Sequence, residues 1–169
     1  MLDVVPAARH DQASAELAEI RARLQPLYQL ARRLAADSAL TEDPEGAYAT
    51  LRSEARALLH GTSHPATAPV DAQPVERIAG WLCLECGRFE APQPCLGVCI
   101  WRRREVVCAA AHDALMQELI AERKRLNRLG GLIGRLAWVT PHRGARDRTR
   151  RALQDEAQGL LDELQPKGA

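Results

Sequence analysis

Apolar residues recur every three or four positions in four stretches of the chain. This spacing places them along one side of an α-helix, as in helices that bury one face against a core. We therefore expect an all-α protein, in which two helical hairpins form a four-helix bundle around an inserted cysteine-rich module. The predicted helices span residues 11–37, 44–60, 104–138 and 141–164.

Two of the predicted helices contain proline or glycine residues, which disfavour a regular helix. Pro26 removes a backbone donor from the first helix, which predicts a kink or a break there. The third helix contains Gly130, Gly131 and Gly134, which suit either the close approach of another helix or a hinge. We identify no internal repeat.

The predicted helices and the segments between them divide the chain into four regions. A stretch rich in proline and polar residues follows the first hairpin and predicts a linker. The cysteine-rich module follows it, and a second hairpin comes last, packing on the first. The expected boundaries are residues 1–60 for the first hairpin, 61–80 for the linker, 81–103 for the module and 104–169 for the second hairpin.

All five cysteines lie in one short part of the chain, and four of them form two close pairs. Cys83 and Cys86 are separated by two residues and followed by Gly87, which can adopt the left-handed conformation of a tight metal-binding turn. Cys95 and Cys99 form the second pair. Four thiols at this spacing can surround a tetrahedral zinc ion or hold an iron–sulfur cluster.

Disulfide bonds are the alternative use of these cysteines. The chain begins Met-Leu-Asp-Val-Val-Pro, without the basic and apolar segments of a secretory signal. We therefore expect a cytoplasmic protein, and in that reducing compartment clustered thiols bind metal or stay free. Zinc is favoured over a cluster because the Cys-x-x-Cys-x-x-Cys run of bacterial ferredoxins is absent.

Trp81 and the sequence Cys83-Leu-Glu-Cys86-Gly87 resemble the Cys-x-x-Cys-Gly knuckle of zinc ribbons and rubredoxins. Those proteins carry a second Cys-x-x-Cys after a longer strand-forming insert. The resemblance therefore implies the metal-binding turn and not their fold. Residues 92–100 and 136–141 also resemble an uncharacterised group of bacterial helical proteins, a similarity that implies no activity.

Cys108 and His112 are candidates for additional metal ligands. On a helix that begins near residue 104, positions four apart share one face, so both side chains could approach the metal. The alternative is that Cys108 is a small buried apolar residue and His112 a hydrogen-bonded neighbour of the site.

Charge is unevenly distributed, although the formal net charge is only +1. The excess of basic residues lies between positions 102 and 151. Three of these arginines stand near the start of the last helix, where the helix dipole favours anions. They are either a solvated face paired with acids of the first helix or a contact surface for an anionic partner: Arg146, Arg150 and Arg151.

These observations favour a non-enzymatic metal-binding protein. A structural zinc would stabilise a scaffold or accessory subunit that binds another protein, such as a larger enzyme. A zinc ion held by four thiolates has no open position for water, and we find no catalytic constellation. The alternatives are a small iron–sulfur electron-transfer subunit of an oxidoreductase and, third, a nucleic-acid binder. No apolar run is long enough to span a membrane.

Overall fold

The computed structural model describes residues 3–36, 44–61, 75–91, 100–140, 142 and 144–164. In chain order, the described part contains strand β1, helices α1 and α2, strands β2, β3 and β4, and helices α3 and α4. The strands are β1 Val4–Pro6, β2 Arg77–Cys83, β3 Phe89–Glu90 and β4 Trp101–Cys108. The helices are α1 Ala7–Ala36, α2 Pro44–His60, α3 Ala109–Trp138 and α4 Arg146–Leu164.

The predicted all-α class is wrong, because the helices are accompanied by a four-stranded antiparallel sheet. The strand order is β1-β4-β2-β3. The protein is therefore an α+β mixture rather than a pure four-helix bundle. We missed the strands because β4 has no alternation of apolar and polar residues, and Arg102, Arg103 and Arg104 are all exposed.

The start of the third helix was also predicted wrongly. Helix α3 begins at Ala109, and the residues just before it belong to β4. Val106 and Val107 are buried there at 5 % and 1 % exposure. Two consecutive β-branched residues favour a strand that is covered on both faces, and this preference overrides the helical spacing downstream.

Proline and glycine have less effect on the long helices than we expected. Helix α1 continues through Pro26 without a break. In α3, a Cβ atom added at Gly130 or Gly134 would meet no described residue outside its own helical turn within 4 Å, so none of the described helices approaches closely at these two positions.

The chain divides into two compact units, each built from separate stretches of sequence. The first comprises Met1–Ala18 and Ala68–Ala121 and contains the sheet. The second comprises Glu19–Thr67 and Glu122–Ala169, and its core consists of leucine and alanine side chains from all four helices.

The chain contains an internal duplication, and our inference that it has no repeat is wrong. Residues 4–36 align without gaps on residues 106–138, and 16 of the 33 aligned positions are identical. We call residues 4–60 the first repeat and residues 106–162 the second. The identities are Val4, Val5, Ala7, Ala8, His10, Asp11, Glu16, Leu17, Arg21, Arg23, Leu24, Leu27, Leu30, Arg33, Leu34 and Ala35, each matched 102 positions later.

The structure repeats with the same shift of 102 residues. Helices α1 and α3 both have 30 residues and begin at equivalent positions. Helices α2 and α4 also begin at equivalent positions, with 17 and 19 residues. Arg33 pairs with Glu54 between α1 and α2, and the equivalent Arg135 pairs with Glu156 between α3 and α4. The two halves therefore share the starting positions of their helices and the ion pair that joins each hairpin.

Strands β1 and β4 include equivalent residues of the two repeats, and they pair symmetrically. Val5 lies opposite Val107, its own equivalent, and Val4 and Pro6 pair with Cys108 and Val106 on either side. Antiparallel pairing centred on two equivalent residues is the arrangement of a two-fold interface, in which each partner offers the same surface. Strands β2 and β3 lie between the repeats in sequence, outside both of them.

Candidate metal centre

The first cysteine pair lies in a tight turn between β2 and β3. The amide of Cys83 donates to the carbonyl of Arg88 at 2.9 Å, and the amide of Gly87 donates to the carbonyl of Cys83 at 3.0 Å. Gly87 has a φ of 72°, a left-handed conformation that favours glycine. The turn and the conformation of its glycine agree with the prediction from sequence.

The two thiols of this turn differ in exposure and are linked through the backbone. Cys83 is 1 % exposed, whereas Cys86 is exposed. The amide of Cys86 donates to the Sγ atom of Cys83 at 3.4 Å. A hydrogen bond from a backbone amide stabilises negative charge on sulfur, which suits a metal-bound thiolate. The residues described here therefore fit one half of a four-thiolate site.

The second cysteine pair, Cys95 and Cys99, lies outside the described residues. The chain is described again from Ile100, whose carbonyl accepts a hydrogen bond from the amide of Leu84 at 2.9 Å. Cys83 then lies opposite Trp101 in the β2–β4 ladder. Within the described ranges, no group of three or more potential ligand side chains is assembled.

Cys108 and His112 do not share a helical face, because Cys108 is the last residue of β4 and only His112 lies on α3. Cys108 is exposed and pairs with Val4. The suggestion that Cys108 is a buried apolar residue is therefore wrong. Whether either residue binds a metal stays a prediction.

His112 lies beside a residue that we did not select from the sequence, its equivalent His10. The two ring centroids are 5.9 Å apart, and the Nδ1 atom of each ring is buried without a hydrogen-bond partner among the residues that the structure describes. Comparing the two repeats would have found His10, since both carry Val-Val-x-Ala-Ala-x-His-Asp. Two imidazoles are fewer than the three or four protein ligands of ordinary zinc sites.

The three arginines predicted to contact a partner have different surroundings. Arg146 and Arg151 are exposed, whereas the side chain of Arg150 is 22 % exposed and lies 3.6 Å from Asp147. Burial raises the pKa of the Tyr48 hydroxyl above its ordinary value, and the positive charges of Arg52 and Arg150 oppose that rise. Arg150 therefore lies in a partly buried cluster, while the other two face solvent.

A second group of arginines lies close to the cysteine turn. Arg102, Arg103 and Arg104 are consecutive and exposed on β4, opposite the last residues of β2. None of the three forms an ion pair with another residue in the described part of the chain. In the sequence they belong to the basic segment between positions 102 and 151, and no feature there distinguishes them from its other arginines.

Comparison with known proteins adds no functional information. No protein-family model matches the chain, and neither a curated protein nor a solved structure is similar to it. None of the described helices has the length and apolar character needed to cross a membrane.

Proposed function

We propose that Cys83, Cys86, Cys95 and Cys99 bind one zinc ion in a closed, four-thiolate site. The observation that carries this proposal is the amide-to-sulfur hydrogen bond within the turn, together with the left-handed Gly87. These features preorganise two sulfur atoms for metal binding. A tetrahedral zinc site needs two further thiolates, and the remaining cysteine pair supplies them.

The path of the chain supports the participation of the second pair. The amide of Leu84, the residue after Cys83, is hydrogen-bonded to Ile100. The described chain therefore resumes beside the turn at Ile100, the residue that follows Cys99 in the sequence.

We further propose that this zinc is structural and that the protein is a non-enzymatic binding module or accessory subunit. Four thiolates fill the coordination of zinc, which leaves no position for a water nucleophile. The metal instead fixes the end of β2 against the start of β4. A reducing compartment such as the cytosol keeps the four thiols available for the metal.

Metal analysis of single-cysteine variants tests the proposal. Protein purified without oxygen should contain one zinc per chain and show no visible absorption. Cys83→Ser, Cys86→Ser, Cys95→Ser and Cys99→Ser should each lose the metal, whereas Cys108→Ser, the matched control outside the set, should retain it.

Three results would contradict the proposal. One is protein without metal, and another is equal loss of metal in Cys108→Ser. The third is iron with acid-labile sulfide and a broad visible band, which would instead assign the four thiolates to the electron-transfer alternative.

A further inference from the structure

The cysteine turn lies at the end of a β-sheet arm whose two faces carry different side chains. We define the arm as β2, β3 and residues 101–105 of β4. Residues directly opposite each other in a sheet point to the same face, and neighbours along a strand alternate. The register therefore assigns each side chain of the arm to one of two faces.

The first face combines an aromatic ring with two arginines. Leu82 lies opposite Phe89 on one side and Arg102 on the other, and Gly80 lies opposite Arg104. The ring of Phe89 covers Gly80, since an added Cβ there would clash with its Cζ atom. Phe89 is a partly exposed residue, and it shares this face with the exposed Arg102 and Arg104.

The second face repeats this combination with tryptophan. Trp81 lies opposite Arg103, and Trp101 lies opposite the buried Cys83. Trp81 and Trp101 are partly exposed residues, although the Nε1 atom of Trp101 is buried, and Arg103 is exposed. Glu90 and Glu105 lie on the same face. Each face of the arm therefore carries at least one aromatic residue and at least one arginine.

The arginines at the centre of the arm differ from those at its margins. Arg77 forms ion pairs with Asp11 and Glu105, and Arg88 approaches Glu90 at 3.9 Å. By contrast, Arg102, Arg103 and Arg104 have no carboxylate partner among the described residues. Adjacent like charges on a strand repel one another, and an external anion would relieve that repulsion.

We propose that this arm binds single-stranded nucleic acid, an inference that rests on the zinc site to hold the arm in place. The arginines bind the phosphate backbone, and the aromatic rings stack on bases. Arg102 and Arg104 lie about 7 Å apart along the strand, so they can engage separate phosphates. Proteins that bind single strands without sequence preference use this combination of a basic track and stacking side chains.

The aromatic rings are the reason to prefer a nucleic acid to an acidic protein segment. An acidic peptide would satisfy the three guanidinium groups but would leave the rings without a stacking partner. Bases offer an aromatic face at every nucleotide, and such stacking is tolerant of sequence. Guanidinium groups also suit phosphate oxygens, which they can bind through two parallel hydrogen bonds.

Fluorescence anisotropy with a labelled, mixed-sequence DNA single strand of about 16 nucleotides tests this proposal on the full chain. The strand should bind at low salt, and the logarithm of the binding constant should fall linearly with that of salt, by about 0.7 per phosphate contacted. Inorganic polyphosphate, which has charge but no bases, should be displaced at lower salt than the strand.

The deciding variant replaces Arg102, Arg103 and Arg104 by glutamine. It should bind the DNA strand at least about tenfold more weakly and keep the zinc content of the parent protein. The matched control, Arg146→Gln with Arg151→Gln, removes exposed arginines outside the arm and should bind within about twofold of the parent.

The zinc content of each sample separates a failure of this proposal from a failure of the metal site. Zinc-loaded protein that does not bind the strand at low salt would overturn the proposal, as would equal weakening in the control. Binding of polyglutamate but not of DNA would assign the arm to an acidic protein partner and would also overturn it. Absence of zinc would count against the metal site itself.

Discussion

The two repeats share buried leucines in the second unit but differ at other buried positions. Leu34 and its equivalent Leu136 are both fully buried. By contrast, Ile20 in the first repeat corresponds to Glu122 in the second, which is 8 % exposed and pairs with Arg125 at 2.7 Å. Burial alone therefore does not decide which residues the repeats share, since the fully buried Ala31 corresponds to the fully buried Ile133. At Glu122 a buried position holds a charge that has found a partner.

The repeats also differ at the open end of each hairpin. In the second hairpin Arg128 and Glu163 form an ion pair, and the residues 102 positions earlier, in the first hairpin, are Pro26 and Gly61, which cannot. Those two residues instead lie among the lining of a groove of about 460 Å³ between α1 and α2. At these two equivalent positions one hairpin has groove-lining residues and the other has a salt bridge.

The largest expected effect comes from truncating one buried leucine in each repeat. It tests whether the two repeats are packed in the same way. Leu34→Ala and Leu136→Ala should each lower the free energy of unfolding by about 2–5 kcal/mol, because each leaves a cavity in a close-packed core. The two losses should agree within about 1 kcal/mol. Urea unfolding followed by circular dichroism measures both, and a large difference between them would show that the repeats do not share one packing arrangement.

A smaller loss of stability should follow the removal of Arg52, since only the first repeat has an arginine at this position. Arg52 on α2 donates to the carbonyls of Leu136 at 3.2 Å and Val139 at 3.0 Å, at the end of α3. Helix ends leave such carbonyls without a partner in the helix. Arg52→Ala should therefore cost about 1–3 kcal/mol in thermal or urea unfolding.

The control for Arg52 comes from the other repeat. Its equivalent is the buried Gln154, so Arg52→Gln installs a side chain that the fold already holds there. Arg52→Gln should lose less stability than Arg52→Ala. Equal losses would mean that the guanidinium charge, rather than a side chain able to donate, is needed at this position.

The smallest expected effect is a gain in stability. Gly130 and Gly134 correspond to Tyr28 and Arg32 in the first repeat, and within the described ranges no residue beyond the same helical turn lies within 4 Å of an added Cβ. Gly130→Ala and Gly134→Ala should each raise the free energy of unfolding by up to about 1 kcal/mol. Gly80→Ala is the opposing control: it should destabilise, because its Cβ would clash with Phe89. Destabilisation by both helical variants would favour the hinge interpretation.

The helices were predictable from sequence, and the strands were not. The apolar spacing around Leu24, Leu51 and Leu129 depends only on the helical period. Strand β4 carries exposed arginines on both faces, so it lacks the alternation that marks a half-buried strand. The repeat is hard to recognise from the sequence. Pro26 in α1 and the glycines in the equivalent stretch of α3 make the two helices differ in composition.

The candidate site was predictable in part. The turn of Cys83 and Gly87 follows from a local spacing, which the structure confirms in its backbone. The neighbourhood of His10 and His112 depends on the pairing of two strands separated by most of the chain. Such a contact between distant segments leaves no local signal, and only a comparison of the repeats would have suggested it.

The central claim is that a metal held by the cysteines fixes the unduplicated arm and is not needed by the duplicated helices. Hydrogen exchange before and after removal of the metal by a chelator, with zinc measured in both samples, tests it most directly. The amides of Leu82, Cys83 and Gly87 should exchange faster after removal, while those of Leu34 and Leu136 stay protected. Unchanged exchange in the arm, or loss of protection at the two leucines, would contradict the claim.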